Sequence, residues 1–575
     1  MKRSELIQWL EHYEEEIVRE AARLWEIPMP VLTEELFSLY ETEGNRLKYE
    51  TVYFTRRKYL AVFGLNAILN KKEQNIKKIE EILVEICEEE CWALPAHVDR
   101  EKDTNWKLCI DLFASETAQA VTEIASVLND CLARSVITKV KQEVFRRVID
   151  PYYSSTPPYG QWENSKFNWN PVCAGAIGSA SIYLMGEEQD KLEVCLNRVC
   201  DSISHYMDGF EADGTCMEGL SYFTYGMTYF TGFADQLYND TQRKENLLAN
   251  EKCRKVAEFQ QKAYFESGRT VCFSDGDSND HFRMGLTLYL SMQFPSVQVP
   301  PLKKAATLHS DSCYRFMALY RDLIWTKRYL NCGFQNDSVE EKKCRHTILP
   351  HAQWSICESK NQVGMAIKGG HNNEPHNHND VGSFFYLIGN EMILTDLGAG
   401  EYTKQYFSSD RYKILCNSSY GHNIPTINKM PQQSGSVYRC DKFEADSKGK
   451  TRISFGAAYE DGIIESIVRE ASFCLDSGVL KIEDHFSPSI LTKSVEERII
   501  TEWEPEHKKG EILIQAKQAA CKIIIEDENA DIQCHVIAHN DHVGNIVSVY
   551  VLEWSVNIEN TRKSSYTIIP MKTNL

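Results

Sequence analysis

Along this chain the spacing of apolar side chains changes once, from a helical period to a strand period. That change limits the fold more than any single motif does. Ile76, Ile79, Ile82, Leu83, Ile86 and Cys87 form one stripe of an amphipathic helix. The spacing returns in Val121, Ile124, Ala125 and Leu128, in Ile137, Val140, Val144 and Val148, and in Leu192, Cys195, Val199, Ile203 and Tyr206. Asp150-Pro151, Pro157-Pro158, Asp208-Gly209 and Asp213-Gly214 punctuate the stripes. The periodicity predicts a large all-α region over roughly the first 330 residues, and no short repeat marks it as a solenoid.

Between about Tyr329 and Leu349 the texture turns polar and unperiodic, in NCGFQNDSVEEKKCRHT, which reads as a linker. Beyond it short β-branched runs dominate. They include Arg452–Phe455, Ser466–Arg469, Ile512–Ile514, Ile523–Ile525, Ile546–Val551 and Tyr566–Ile569. Ser472–Leu475 and Val479–Ile482 flank Asp476-Ser477-Gly478 as a hairpin. Such strands predict an antiparallel sandwich. The expected domains are 1–335, helical, and 336–575, sheet.

Composition narrows the partners. Lys plus Arg number 63 against 82 Asp plus Glu, a net charge of −19, which argues against nucleic acid. An anionic ligand would need a local basic cleft that this average conceals. The start, MKRSELIQWLEHYEEEIVRE, shows neither an apolar core nor a cleavage site of a signal peptide, and no stretch approaches a membrane span. Nineteen cysteines without an export signal are expected as reduced thiols, so the expected location is cytoplasmic, with no membrane partner. Oligomeric state is not legible.

The chemistry concentrates between Lys368 and Asn428, which hold His371, His376, His378 and His422 among Asn, Asp, Gly and Tyr. Phe384–Ile388 and Met392–Thr395 flank Gly389-Asn390, a hairpin signal. His376, His378 and Asp380 precede its first strand and Asp396 follows its second. A hairpin brings its outer ends together, so His378 and Asp396 are expected as neighbours, with His422 returning from a later loop. Imidazoles and a carboxylate suit zinc. A polar loop whose histidines bond only to backbone is the alternative on spacing alone.

HNHNDVGSF, then LTDLGAGEY, then GHN, resembles the heparinase II/III-like polysaccharide lyases. The resemblance implies an incomplete (α/α) toroid followed by an antiparallel β-sandwich, and β-elimination from a uronate-containing glycan of glycosaminoglycan type. It places His376 in the catalytic site and gives His378, Asp396 and His422 to one structural metal ion, zinc. By the same resemblance Tyr222, in EGLSY, matches the catalytic tyrosine, as acid and perhaps as base. His376 is then the base or a neutraliser of the carboxylate. Asn168 and Asn170 are candidates for the neutralising amide, and the local match does not choose between them. Some members carry a histidine after that asparagine. Here Trp169 and Pro171 follow instead, which throws the weight onto Tyr222 and His376.

Four segments of the helical half join rings to amides and carboxyls: Cys91–His97, Asp111–Ala118 with Ser115 as its expected N-cap, Gln161–Cys173, and Asp213–Tyr222 running into Tyr225. Rings cover pyranose faces and amides bond hydroxyls. Alternatively the tryptophans are core and the polar groups are caps. Taken together they resemble the inner loops of the lyase toroid. His97, Trp162, Glu218 and Tyr225 are therefore expected to bind substrate, and so are Tyr402 and Tyr406 of the sheet half. Lys368, Lys404, Arg411, Arg439 and Arg283 are the expected sources of local positive charge. The loop Phe273–Asp280 reads as a turn near the cleft. Two other functions fit the architecture: a glycoside hydrolase, drawing a carboxyl pair from Asp111, Glu116, Glu163 and Glu218, and a non-catalytic glycan-binding protein.

Overall fold

The computed structural model describes residues 1–333 and 344–571. The central part of the expected linker, and the expected boundary at 335/336, lie outside the described residues. The chain has a helical N-terminal region followed by an antiparallel sheet region.

The amphipathic stripes form helices and bury the predicted faces. The Glu73–Cys87 helix buries Ile76, Ile79, Ile82, Leu83, Ile86 and Cys87. The Gln189–Met207 helix buries Leu192, Cys195, Val199, Ile203 and Tyr206. It packs on the Trp169–Leu184 helix, which packs in turn on Leu112–Val127. Glycine lets the Trp169–Leu184 helix approach closely: a Cβ on Gly178 would stand 2.4 Å from the Phe233 ring. The Leu112–Val127 helix is buried along Leu112–Ala125. Its N-cap is Asp111, whose carboxylate accepts from Ala114 N at 2.7 Å. The expected cap, Ser115, lies inside the first turn and is buried. A carboxylate four residues earlier meets the free N–H groups better than a hydroxyl already in the helix. The first helix, Arg3–Leu24, packs on the last, Phe316–Asn331, and the Tyr13 hydroxyl donates to Leu319 O at 3.1 Å.

The sheet region contains an antiparallel five-stranded sheet from Arg345–Leu349 to Glu391–Leu394, an eight-stranded sheet and a four-stranded sheet. Phe384–Ile388 and Glu391–Leu394 pair around Gly389, which has φ of 57°. Phe473 pairs with Leu480 across the other expected hairpin. Ile367, Phe384, Tyr386, Ile467, Leu480, Ile499, Leu552 and Tyr566 share one core.

The chain divides into two compact units, and one cut does not describe the division. Residues 211–221 and 262–280 belong with the sheets. Asp213 accepts from His351 N at 2.9 Å, Glu266 N donates to Glu358 at 2.8 Å, and Arg269 Nε donates to Asn390 O at 2.8 Å. Side chains and backbone of these two loops thus exchange hydrogen bonds with the sheet half, a pairing that local periodicity does not encode.

Candidate active site and metal centre

The sheet unit gathers its functional side chains around Asp275, a carboxylate with no exposed side-chain surface. The two Asp275 oxygens divide their partners. Oδ2 meets His376 Nδ1 at 2.7 Å and accepts from the Tyr402 hydroxyl at 2.9 Å. Oδ1 meets His378 Nε2 at 2.9 Å and accepts from the Tyr406 hydroxyl. Arg411 Nη2 stands 3.6 Å from Oδ1. Burial pushes the carboxyl up, but the hydrogen bonds and charges of His376 and His378 outweigh it and hold Asp275 well below the usual range.

His376 has φ of 54°, a left-handed backbone that costs a residue with a Cβ about 1–3 kcal/mol. The turn aims its ring at Asp275 while leaving the side chain 20% exposed. Its Nε2 stands 3.6 Å from Glu218 Oε1. Glu218, His376, Tyr402, Tyr406 and Asp275 therefore form one cluster. Tyr406 is fully buried, so its hydroxyl props Asp275 and does not face a ligand. Tyr402 is half-buried and stacks edge-on with His542 at 4.6 Å.

The expected metal ligands also come together. One ligand atom from each of His378, Asp396 and His422 lies within 4.8 Å of the others, and all three residues are buried. His422 Nε2 donates to Cys416 O at 2.9 Å, which leaves Nδ1 facing Asp396 Oδ2 at 3.1 Å. His378 spends Nε2 on Asp275, and its buried Nδ1 has no hydrogen-bond partner. A buried lone pair without a partner, beside a carboxylate and a second imidazole nitrogen, fits a zinc-type ion. A carboxylate behind a ligating histidine is the usual support of such a site.

In the helical unit several of the candidates are engaged by neighbouring groups. Asn170 is fully buried and its amide nitrogen donates to Glu163 O and Ser202 O, each at 2.8 Å. Its amide N–H groups are therefore spent on backbone. Trp162 is buried against Tyr152 and packs the same corner, a core position where substrate contact was expected. Tyr225 donates to Glu116 and lies under the Arg315 guanidinium at 3.9 Å. Tyr222 sits in the first turn of the Leu220–Asp240 helix. His97 Nδ1 bonds to Asp111 at 2.7 Å.

Two of the expected cations are consumed internally. Lys368 is fully buried on Asp380 at 2.8 Å, and Arg283 is buried on Asp322 at 3.2 Å. Asp275, the buried centre of this cluster, is the residue that the sequence did not single out. Only its Asp-Gly loop drew notice.

No protein-family model and no curated protein matches the sequence. Solved structures do. A heparinase III crystal structure aligns over 100% of this chain and 91% of its own, with a TM-score of 0.63 and 14% identity. Another heparinase III gene product, with methylated lysines, covers 95% and 81%, with a TM-score of 0.61 and 13% identity. The chain has the heparinase III fold. A heparan sulfate lyase from Pedobacter heparinus repeats the match, covering 99% of this chain and 89% of its own, with a TM-score of 0.58 and 12% identity. At such identities the heparinase III likeness speaks for architecture, and the site residues stand on the geometry above. No helix among the described residues is long and apolar enough to cross a membrane.

Proposed function

We propose that this chain is a polysaccharide lyase that cleaves an anionic, uronate-containing glycan of glycosaminoglycan type by β-elimination. The observation that carries the reading is His376: one ring nitrogen is held by buried Asp275 and the ring remains partly exposed, in a chain with the heparinase III fold.

β-Elimination needs the uronate carboxylate neutralised, the C5 proton removed and the leaving O4 protonated. Asn168 is the neutralising amide, because Asn170 has spent its donors on backbone. Tyr222 is the acid that protonates O4. His376 acts at the carboxylate or at the C5 proton. His378, Asp396 and His422 would hold zinc, which when bound supplies positive charge that pins the loop carrying His376. Glu218 and Tyr402 line the exposed side of that histidine.

Of the four carboxyls that the hydrolase alternative would draw on, three are engaged. Glu163 is taken by Arg198, Glu116 by Tyr225 and Arg315, and Asp111 by a helix end and His97. The test is the product from a panel of uronate oligosaccharides. A lyase leaves an unsaturated uronate that absorbs in the ultraviolet. Tyr222→Phe is expected to lower that rate about 100-fold or more. Saturated reducing ends without ultraviolet absorbance would refute the proposal.

A further inference from the structure

A second oriented imidazole sits in the helical unit, away from the metal ligands in sequence. His97 closes a short turn, Pro95–His97, and its backbone is held by Leu94 O and by the Cys109 thiol. Its Nδ1 lies 2.7 Å from Asp111 Oδ2. A carboxylate only accepts, so Nδ1 carries the proton, and a ring that acts as a base presents its lone pair at Nε2. Nε2 takes no hydrogen bond among the described residues, and the side chain is 11% exposed. Asp111 itself is 1% exposed and cannot swing away, because it also accepts from Leu94 N and Ala114 N. The ring is bracketed by Phe113, at 5.9 Å, and by Trp169, at 4.8 Å. Trp169 follows Asn168 directly and opens its helix. An imidazole fixed in one tautomer thus stands against the neighbour of the amide assigned to the uronate carboxylate.

We propose that His97, oriented by Asp111, is a proton acceptor in the elimination. This rests on the lyase reading above. His97 Nε2 takes the C5 proton. The C5–H electron pair forms the C4=C5 double bond, and the C4–O4 bond breaks. The leaving O4 takes its proton from Tyr222, and the imidazolium formed at His97 is stabilised by Asp111. Asp111 also caps its helix, so the feature that packing alone leaves unexplained is the unpartnered Nε2 of an oriented ring.

The experiment compares wild type, His97→Ala, His97→Gln and Asp111→Asn in the ultraviolet assay on the best uronate oligosaccharide, with circular dichroism and melting curves as folding checks. Asparagine keeps the helix cap but offers an N–H or a neutral oxygen to the ring. The expected result is a kcat about 100-fold lower in all three, with KM changed less than about threefold. Added imidazole should restore part of the turnover in His97→Ala alone. A folded His97→Ala or His97→Gln whose kcat stays within about threefold of wild type overturns the role of His97, and so does rescue that is absent while KM alone rises. Wild-type protein that yields no unsaturated product overturns the lyase reading and this inference together, which separates the two failures.

Discussion

Asp275 Oδ2 lies 2.7 Å from His376 Nδ1, although 101 residues separate them in the chain. The other oxygen of the same carboxylate lies 2.9 Å from His378. One buried group therefore orients both the exposed imidazole and a candidate metal ligand.

Replacing that group without changing its shape should break both functions. Asp275→Asn is expected to lower turnover about 100-fold and metal affinity about 10–100-fold, the usual cost of losing a support behind a ligating histidine. Steady-state kinetics and metal content by mass spectrometry check this. Full metal content with unimpaired turnover would show that the carboxylate is only packing.

The two histidines should separate in their effects. His378→Ala removes a buried ligand, so bound metal and melting temperature fall together with activity. His376→Ala is expected to lose activity and keep the melting temperature within about 2 °C, since its ring is partly exposed and its left-handed backbone is already strained. Unchanged folding and metal content in His378→Ala would remove it from the ligand set.

Asn168 and Asn170 make a second contrast. Asn170→Ala removes a buried donor to Glu163 O and Ser202 O, although the Ser202 hydroxyl still donates to Glu163 O, and should cost about 1–3 kcal/mol in urea unfolding. Asn168→Ala should lower kcat. Equal kinetic effects from the two variants would contradict the assignment.

Glu358 predicts a pH dependence of stability. Burial pushes its carboxyl from 4.5 to about 7, against the opposing pull of Arg345. The raised value means that the folded state holds this proton more tightly than the unfolded chain. The stabilisation is complete below about pH 4.5 and is lost as pH rises through about 7, by at most about 3 kcal/mol. Urea unfolding across that window should show a shallower loss for Glu358→Gln than for wild type. Parallel curves would mean that the group titrates normally.

Legibility in the sequence followed the range of the interactions. The HNHN segment, the hairpin and His422 were readable because they lie within one stretch of about 60 residues whose turns are spelled locally. Tyr406 was read as a ligand contact and is a prop. Trp162 was read as a sugar platform and is core. A side chain's type does not say which way its element faces. Asp275 left only the trace of an Asp-Gly loop, because its partners come from residues 376–411.

By itself the sequence determined the succession of helices and strands, through apolar periods of 3.6 and 2, and its local hairpin made His378 and Asp396 neighbours. The tertiary structure alone decided which polar groups are spent and which remain available. It consumed Asn170, Lys368 and Arg283, left His97 Nε2 and His378 Nδ1 without partners, and brought Asp275 to both histidines. The reason is physical. Periodicity records which faces leave water, whereas a buried polar atom is satisfied by whichever chain segment packs against it, however distant in sequence.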